Sequence, residues 1–417
     1  MRKQRVLVLS APGKVILHGE HAVVHGKLAL AASLDLRTFL RLTLDEEEEE
    51  DGKEGQDHNV QLLLPNLGLR FCWETTHLHP LLLSKFRSQA PSTDQLEAIK
   101  AFLLLHPGDQ DQGDRDRGDR GSPCVAATAF LFLYLSIAAQ ADPQRPRLLE
   151  VVLWSELPAG SGLGSSAAFC ACISAALLST FGLIPFPSSL DNGDRWTEGE
   201  LETVNSWAFR GEEVIHGNPS GVDNAVSTWG GALRYQSGKI SPLKKFPSLR
   251  ILLTNTKVPR STKVLVAGVK NKLLKFPSIL DPVLVSINAI SEECEKTLAL
   301  MDEAKTPSKE HFDILEDLID MNQGHLNALG VGHSTLDAVC RVTAGLGLHS
   351  KLTGAGGGGC ALTLLPPDVD PERVSSATAG LSGLGFECFE TTLGGPGLTS
   401  HPISSLKPNV LQAFNEA

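Results

Sequence analysis

Strands and helices that mix without strict alternation predict an α+β protein in two lobes. Length and composition agree, because 417 residues at 42% hydrophobic and 20% charged can fill more than one core. They are also too apolar for a disordered, collagen-like or coiled-coil chain. The boundary is expected near Arg234 to Lys245, dividing the chain into residues 1–233 and 234–417.

The elements follow from local pattern. Arg5 to Leu9 is a short apolar run that meets Ser10-Ala11-Pro12-Gly13, read as a strand followed by a turn. Leu28 to Leu44 is rich in strand formers and stops at seven consecutive acids, Asp45 to Asp51, expected to be a solvated, mobile loop. Cys124 to Ala141 and Ala167 to Ile184 are uncharged but rich in Ala, Ser, Thr and Cys and lack aromatic belts, so they read as buried core helices rather than membrane spans. Between Gly108 and Gly121 a patch of Asp, Arg, Gln and Gly reads as a surface insertion. Leu148 to Trp154 is strand-like, and Glu200 to Ile215 has helical spacing at Val204, Trp207, Ala208, Gly211 and Ile215. Strands are expected at Ala232 to Tyr235, Leu249 to Thr254 and Cys360 to Leu364, and helices over Lys263 to Lys275, Pro282 to Asp302 and Phe312 to Leu329.

Charge and cysteine usage exclude several functions. With the seven-acid run set aside, the formal net charge of −11 falls to −4, and no basic surface able to neutralise a row of phosphates remains, so nucleic acid is not an expected partner. Eight cysteines, without a CxxC pair or a regular framework, read as buried, reduced thiols. The basic N-terminal head is followed by too few apolar residues for a secretory signal, and the final Asn-Glu-Ala is not a Ser-Lys-Leu address. Cytoplasm is the expected compartment.

The sharpest chemical signal is the strand, loop and helix around Gly160, Ser161, Gly162, Leu163, Gly164, Ser165 and Ser166. Glycines let backbone amides approach a ligand, and a helix N-terminus offers unpaired N–H groups suited to phosphate. The third glycine of a dinucleotide fingerprint is replaced by Ser165, and no Gly-Lys pair is followed by Ser or Thr, so neither a Rossmann nor a Walker loop is present. The plainer reading is a helix start capped by serine. A second cluster, Gly354-Ala355-Gly356-Gly357-Gly358-Gly359, reads either as a linker or as bare backbone that something requires. Lys14, after Pro12-Gly13, is either a surface lysine or one presented to a cleft. His18, His21 and His25 do not have HExxH spacing and read as loop residues rather than metal ligands.

Two carboxylates complete the candidates. Ser220-Gly221-Val222-Asp223 matches a capping box, which would give Asp223 a purely structural role. At about 100° per residue, Glu212 shares the face of Ala208 and Ile215 while Glu213 points away, so Glu212 is the acid expected to turn inward, where it needs a cation.

Together these segments resemble the galactokinase, homoserine kinase, mevalonate kinase and phosphomevalonate kinase family of small-molecule kinases. Pro12-Gly13-Lys14 resembles its first motif, Pro158 to Ala168 its phosphate loop, and Lys351 to Gly359 its third motif. His18 to Gly26 and His216 to Gly231 resemble the mevalonate-phosphorylating branch of that family as animals carry it. The resemblance implies a two-lobed small-molecule kinase fold with mixed sheets and the active site between the lobes. It implies ATP held by the loop residues Gly160 to Ser166 with Lys14, Asn66 and Ser155, and Mg²⁺ held by Ser166 and Glu212. Asp223 would accept the proton of the acceptor hydroxyl with Lys14 beside it, and Glu20, His21, Arg260 and Thr262 would contact mevalonate. It further implies a homodimer and inhibition by isoprenoid diphosphates competing with ATP. The alternatives are another small alcohol, such as galactose, homoserine or phosphomevalonate, or a sensor of this fold without catalysis.

Overall fold

The computed structural model describes residues 4–45, 59–86, 90–107, 109–110, 121–141, 148–158, 160–187, 196–304 and 307–416. The acid run after Asp45 and nearly all of the Gly108 to Gly121 patch lie outside the described residues.

The strands in chain order are β1 (Gln4–His18), β2 (Ala29–Asp45), β3 (Asn59–Leu64), β4 (Leu69–Glu74), β5 (Asp109–Gln110), β6 (Leu149–Ser155), β7 (Ala232–Gln236), β8 (Lys239–Pro242), β9 (Leu249–Asn255), β10 (Ser350–Leu352), β11 (Cys360–Leu365), β12 (Glu387–Leu393) and β13 (Thr399–Ser400). The α-helices are α1 (Thr75–Lys85), α2 (Thr93–Leu105), α3 (Gly121–Ala141), α4 (Ser165–Thr180), α5 (Glu198–His216), α6 (Val222–Trp229), α7 (Thr262–Lys275), α8 (Pro277–Glu303), α9 (Lys309–Leu329), α10 (Ser334–Ala344), α11 (Pro371–Gly383) and α12 (Pro408–Glu416). The strands join in one mixed sheet whose main path runs β10-β11-β9-β12-β2-β6-β3-β4-β5. The β3–β6 pair is parallel and the other pairs are antiparallel. Strands and helices are thus mixed without strict alternation, as the pattern predicted.

The turn expected at Ser10 to Gly13 does not end the first strand. β1 continues to His18, and the register against β2 shifts between Pro12 and Lys14. Pro12 cannot donate to the ladder, and the irregularity absorbs the missing bond without breaking the strand. Lys14 is therefore a mid-strand residue just past a bulge.

β1 is buried on both faces, which requires two covers. Leu7 and Leu9 face the main core with the Ala- and Cys-rich helix α4. Val8 faces the opposite way and packs with Phe39, Leu63 and Val152 against Leu406, Val410 and Phe414 of the C-terminal segment. That segment comes back to the first strand, where β13 pairs with β1 at Leu9 and Ser10. Around the expected boundary, β7 and β8 form a hairpin on β2.

The long uncharged helices α3 and α4 are core elements, as their composition suggested, and no helix among the described residues is long and apolar enough to cross a membrane. Three cysteines depart from the expectation of burial. Cys72 is exposed because β4 alternates in and out and the outward phase falls on it; Cys340 and Cys388 are partly exposed. The side chain of Cys124 lies outside the described residues.

Candidate active site

β6 delivers the chain to the glycine loop, and α4 leaves from it. The residue that caps α4 is Gly164, in the left-handed region at φ 77°, with no side-chain cap. The expected serine cap is thus corrected: the first turn of α4 keeps its N–H groups for something other than its own hydroxyls. A side chain at 164 would stand 2.9 Å from Lys14 Cγ, so glycine is what lets the loop lie against β1, and Lys14 N–H donates to Leu163 O at 2.7 Å. Ser161 is inward-turned and donates its hydroxyl to Pro158 O at 2.6 Å. Gly160, Ser165 and Ser166 instead face a cavity of about 1170 Å³, whose wall also includes Asn66 and Ser155. Asn66 and Ser155 hold each other: Nδ2 of Asn66 donates to Ser155 O at 3.0 Å, and Ser155 N–H donates to Oδ1 at 2.8 Å.

The acid on α5 turns inward because its neighbour is small. A Cβ at Gly211 would lie 2.6 Å from Cys170 Sγ of α4, so the two helices meet at backbone distance and carry Glu212 into the interior at 2% exposure. Oε1 of Glu212 is buried without a hydrogen-bond partner. Burial, then the negative charge of Asp223, pushes its carboxyl up to about 7, while a hydrogen bond from Ser166 and the charge of Lys14 pull the other way. His216, four residues on, places Nε2 3.1 Å from Ser166 Oγ and 3.9 Å from Glu212 Oε2.

Asp223 is not the end of a capping box. α6 starts at Val222 with Gly221 as its cap and no side-chain cap, and Ser220 Oγ accepts only from Val222 N–H at 3.4 Å. The carboxylate is left to Lys14, whose Nζ lies 3.3 Å from Asp223 Oδ1. Lys14 is nearly enclosed and Asp223 is about one-third exposed, at side-chain values of 10% and 35%. In such a pair the accessible carboxylate can accept a proton from a hydroxyl while the buried cation offsets charge growing on the atom that hydroxyl attacks. Among the described residues no three His, Cys, Asp or Glu side chains enclose a metal by themselves. The partnerless oxygen of Glu212 with the Ser166 hydroxyl nevertheless suits a hard divalent cation that takes its remaining ligands from phosphate and water.

The remaining candidates fall into two groups. Arg260 bridges the glycine loops, with Nη2 donating to Ser161 O at 2.8 Å and Nη1 to Gly358 O at 3.1 Å. Burial lowers its pKa, and both of these bonds end on carbonyls. Thr262 opens α7 nearby and is exposed. His21 and Glu20, by contrast, are buried. Nε2–H of His21 donates to Ala355 O at 2.8 Å, and burial lowers its pKa, keeping the ring neutral. Glu20 is fully enclosed, ion-paired with Lys351 and accepting from Asn322 Nδ2 at 3.0 Å. The cluster 354–359 is no linker, because its backbone is used on both sides: Gly357 N–H donates to Val331 O at 2.8 Å and Thr256 N–H to Gly359 O at 2.9 Å.

Three residues of this region escaped sequence reasoning. His216 carried a signal, since it stands one helical turn beyond Glu212 on the same face. Lys351 was legible only as the first residue of the third motif, and Asn322 carried no signal, because an isolated polar side chain in a strand or helix gives no hint that it is buried.

Comparison with known proteins shows the family. The GHMP kinases N terminal domain matches residues 131–231, and the GHMP kinases C terminal domain matches residues 303–379. The chain is 54% identical to the mevalonate kinase of Homo sapiens and 54% identical to that of Bos taurus, in each case over 98% of both chains. Among solved structures it resembles the L. major mevalonate kinase in complex with R-mevalonate, with a TM-score of 0.62 and 21% identity over 95% of this chain and 97% of that one.

Proposed function

We infer the function from membership: this chain belongs to the mevalonate kinases of the GHMP kinase family. It transfers the γ-phosphoryl group of ATP to the C5 hydroxyl of mevalonate, giving 5-phosphomevalonate and ADP, an early step of isoprenoid and sterol biosynthesis. The observation that carries this reading in the site is the Lys14–Asp223 pair, 3.3 Å apart beside the glycine loop.

The roles follow from position. Backbone amides at the start of α4 face the cavity and hold the nucleotide phosphates, with Asn66 and Ser155 on the wall where the nucleoside lies. Asp223 accepts the proton as the C5 oxygen attacks Pγ and the bond from Pγ to the β–γ bridging oxygen breaks. Lys14 offsets the charge on the moving phosphoryl group. Glu212 and Ser166 are the residues that would hold Mg²⁺, which when bound neutralises the β- and γ-phosphates. Arg260 and Thr262, on the second lobe's side of the glycine loops, orient mevalonate, with His21 shaping the pocket through Ala355.

A coupled ADP-release assay with mevalonate, galactose, homoserine and phosphomevalonate tests the reading. Turnover with mevalonate alone is expected. Turnover with another acceptor would keep the kinase and change its substrate, and nucleotide binding without any turnover would make the chain a sensor.

The same reading carries a homodimer in the cytoplasm and inhibition by longer isoprenoid diphosphates. Leu64, Val125, Phe169 and Phe386 give the cavity apolar wall beside the phosphate loop, so a prenyl chain and its diphosphate fit one continuous space. Inhibition competitive with ATP is expected, and a non-competitive pattern would exclude a shared space.

A further inference from the structure

The buried ion pair between Lys351 and Glu20 is unlike the other ion pairs of the described chain, because both side chains are wholly enclosed. Lys351 also donates to Leu352 O at 2.8 Å. The second carboxylate oxygen of Glu20 accepts from Asn322 Nδ2 on α9 at 3.0 Å, and the next residue, Gln323, accepts Leu352 N–H at 2.8 Å. Burial pushes the Glu20 carboxyl up and the Lys351 ammonium down despite their mutual attraction. A pair whose desolvation exceeds its attraction is poor glue, and apolar side chains of similar size would hold a core at least as well. Its value lies in what it places.

What it places is the seam between the end of β1 and the third glycine motif. Two residues after Lys351, Thr353 accepts Ile16 N–H at 3.0 Å and returns its hydroxyl to Ile16 O at 2.9 Å. One residue after Glu20, His21 adopts φ 61°, a left-handed conformation that non-glycine residues avoid, and from there reaches Ala355 O. The strand that carries Lys14 and the loop carrying Gly354 to Gly359 are therefore registered to one another by contacts on both sides of a single buried charge pair. The phosphate loop meets the same two elements at other points, away from the charge pair: β1 where Lys14 N–H donates to Leu163 O, and the third glycine motif where Arg260 joins Ser161 O to Gly358 O.

We propose that Lys351 and Glu20 are positioning residues that set the acceptor side of the site by registering β1 against the third glycine motif, and that Glu20 does not touch the acceptor. This rests on the kinase reading above, and the wild-type assay separates the two: without wild-type turnover of mevalonate the kinase reading fails, whereas the positioning claim fails only when wild-type turns over and the variants behave wrongly.

The test uses the full chain with Lys351→Met, Glu20→Gln and the double variant, measuring steady-state KM for each substrate. For Lys351→Met, KM for mevalonate is expected to rise about tenfold or more while KM for ATP stays within about twofold, since a lone buried carboxylate disturbs its neighbours. The double variant leaves no lone charge and is expected to recover mevalonate KM to within about threefold of wild type, a coupling that a direct substrate ligand would not show. Should Lys351→Met fail to fold, the double variant against Glu20→Gln decides alone. An unchanged mevalonate KM in folded Lys351→Met, an equal rise in both KM values, or a double variant as impaired as Glu20→Gln would each overturn the proposal.

Discussion

Nζ of Lys14 stands 3.3 Å from Oδ1 of Asp223, although one residue lies on a strand near the N-terminus and the other in the first turn of α6. The contact exists because two local features free both groups. The irregularity after Pro12 turns Lys14 inward, and Gly221 rather than a serine hydroxyl starts α6, so the carboxylate is not spent on a cap.

Replacing Asp223 by Ala should lower kcat by at least ~10²-fold, because a proton acceptor is lost. ATP affinity, measured by equilibrium titration, should stay near wild type, since the phosphate loop is untouched. Near-normal turnover would return Asp223 to a structural role.

Glu212→Gln should raise the Mg²⁺ concentration needed for half-maximal rate by about tenfold. In the absence of metal the same variant should melt no lower than wild type, because a buried carboxylate oxygen without a partner is removed. An unchanged metal titration would take Glu212 out of the metal shell.

The inward acid was readable from helical phase alone. Glu212 shares a face with Ala208 and Ile215, and that geometry survives folding because Gly211 brings α5 against α4. The two glycine motifs and most strands were legible for a similar reason: their constraints are local. The capping of α4 and α6 was not, because Ser and Gly both start helices and only the approach of β1 selects glycine at 164. Nor was the burial of Glu20, whose partner Lys351 comes from a distant strand that leaves no trace in the local pattern.

Arg260→Lys should raise KM by about tenfold both for mevalonate, which the guanidinium orients, and for ATP, whose phosphate loop it holds, since a single ammonium cannot reproduce the fork that reaches Ser161 O and Gly358 O together. A change confined to one substrate would show that the guanidinium serves that ligand and not the junction of the loops.

His401 supplies a pH dependence of stability. Arg37 Nε–H donates to Ser10 Oγ at 2.7 Å, and the Ser10 hydroxyl lies 2.7 Å from His401 Nε2. Burial, then the nearby Arg37 charge, lowers the ring from its ordinary 6.5 to about 4. The unfolded chain therefore binds the proton first as pH falls, so this contribution is complete above about 6.5 and lost progressively down to about 4. Denaturant midpoints at several pH values should show that slope, and His401→Gln should flatten it; an unaltered slope would assign it to other groups.

The sheet passes from β12 to β2 at Leu393 and Leu34, and Gly394 N–H donates to Ser33 O at 3.0 Å just beside that crossing. Halves stitched through a shared backbone ladder cannot swing apart like a clam without tearing it. Any hinge opening at this crossing would have to break the Leu393–Leu34 pairing and the Gly394–Ser33 bond beside it.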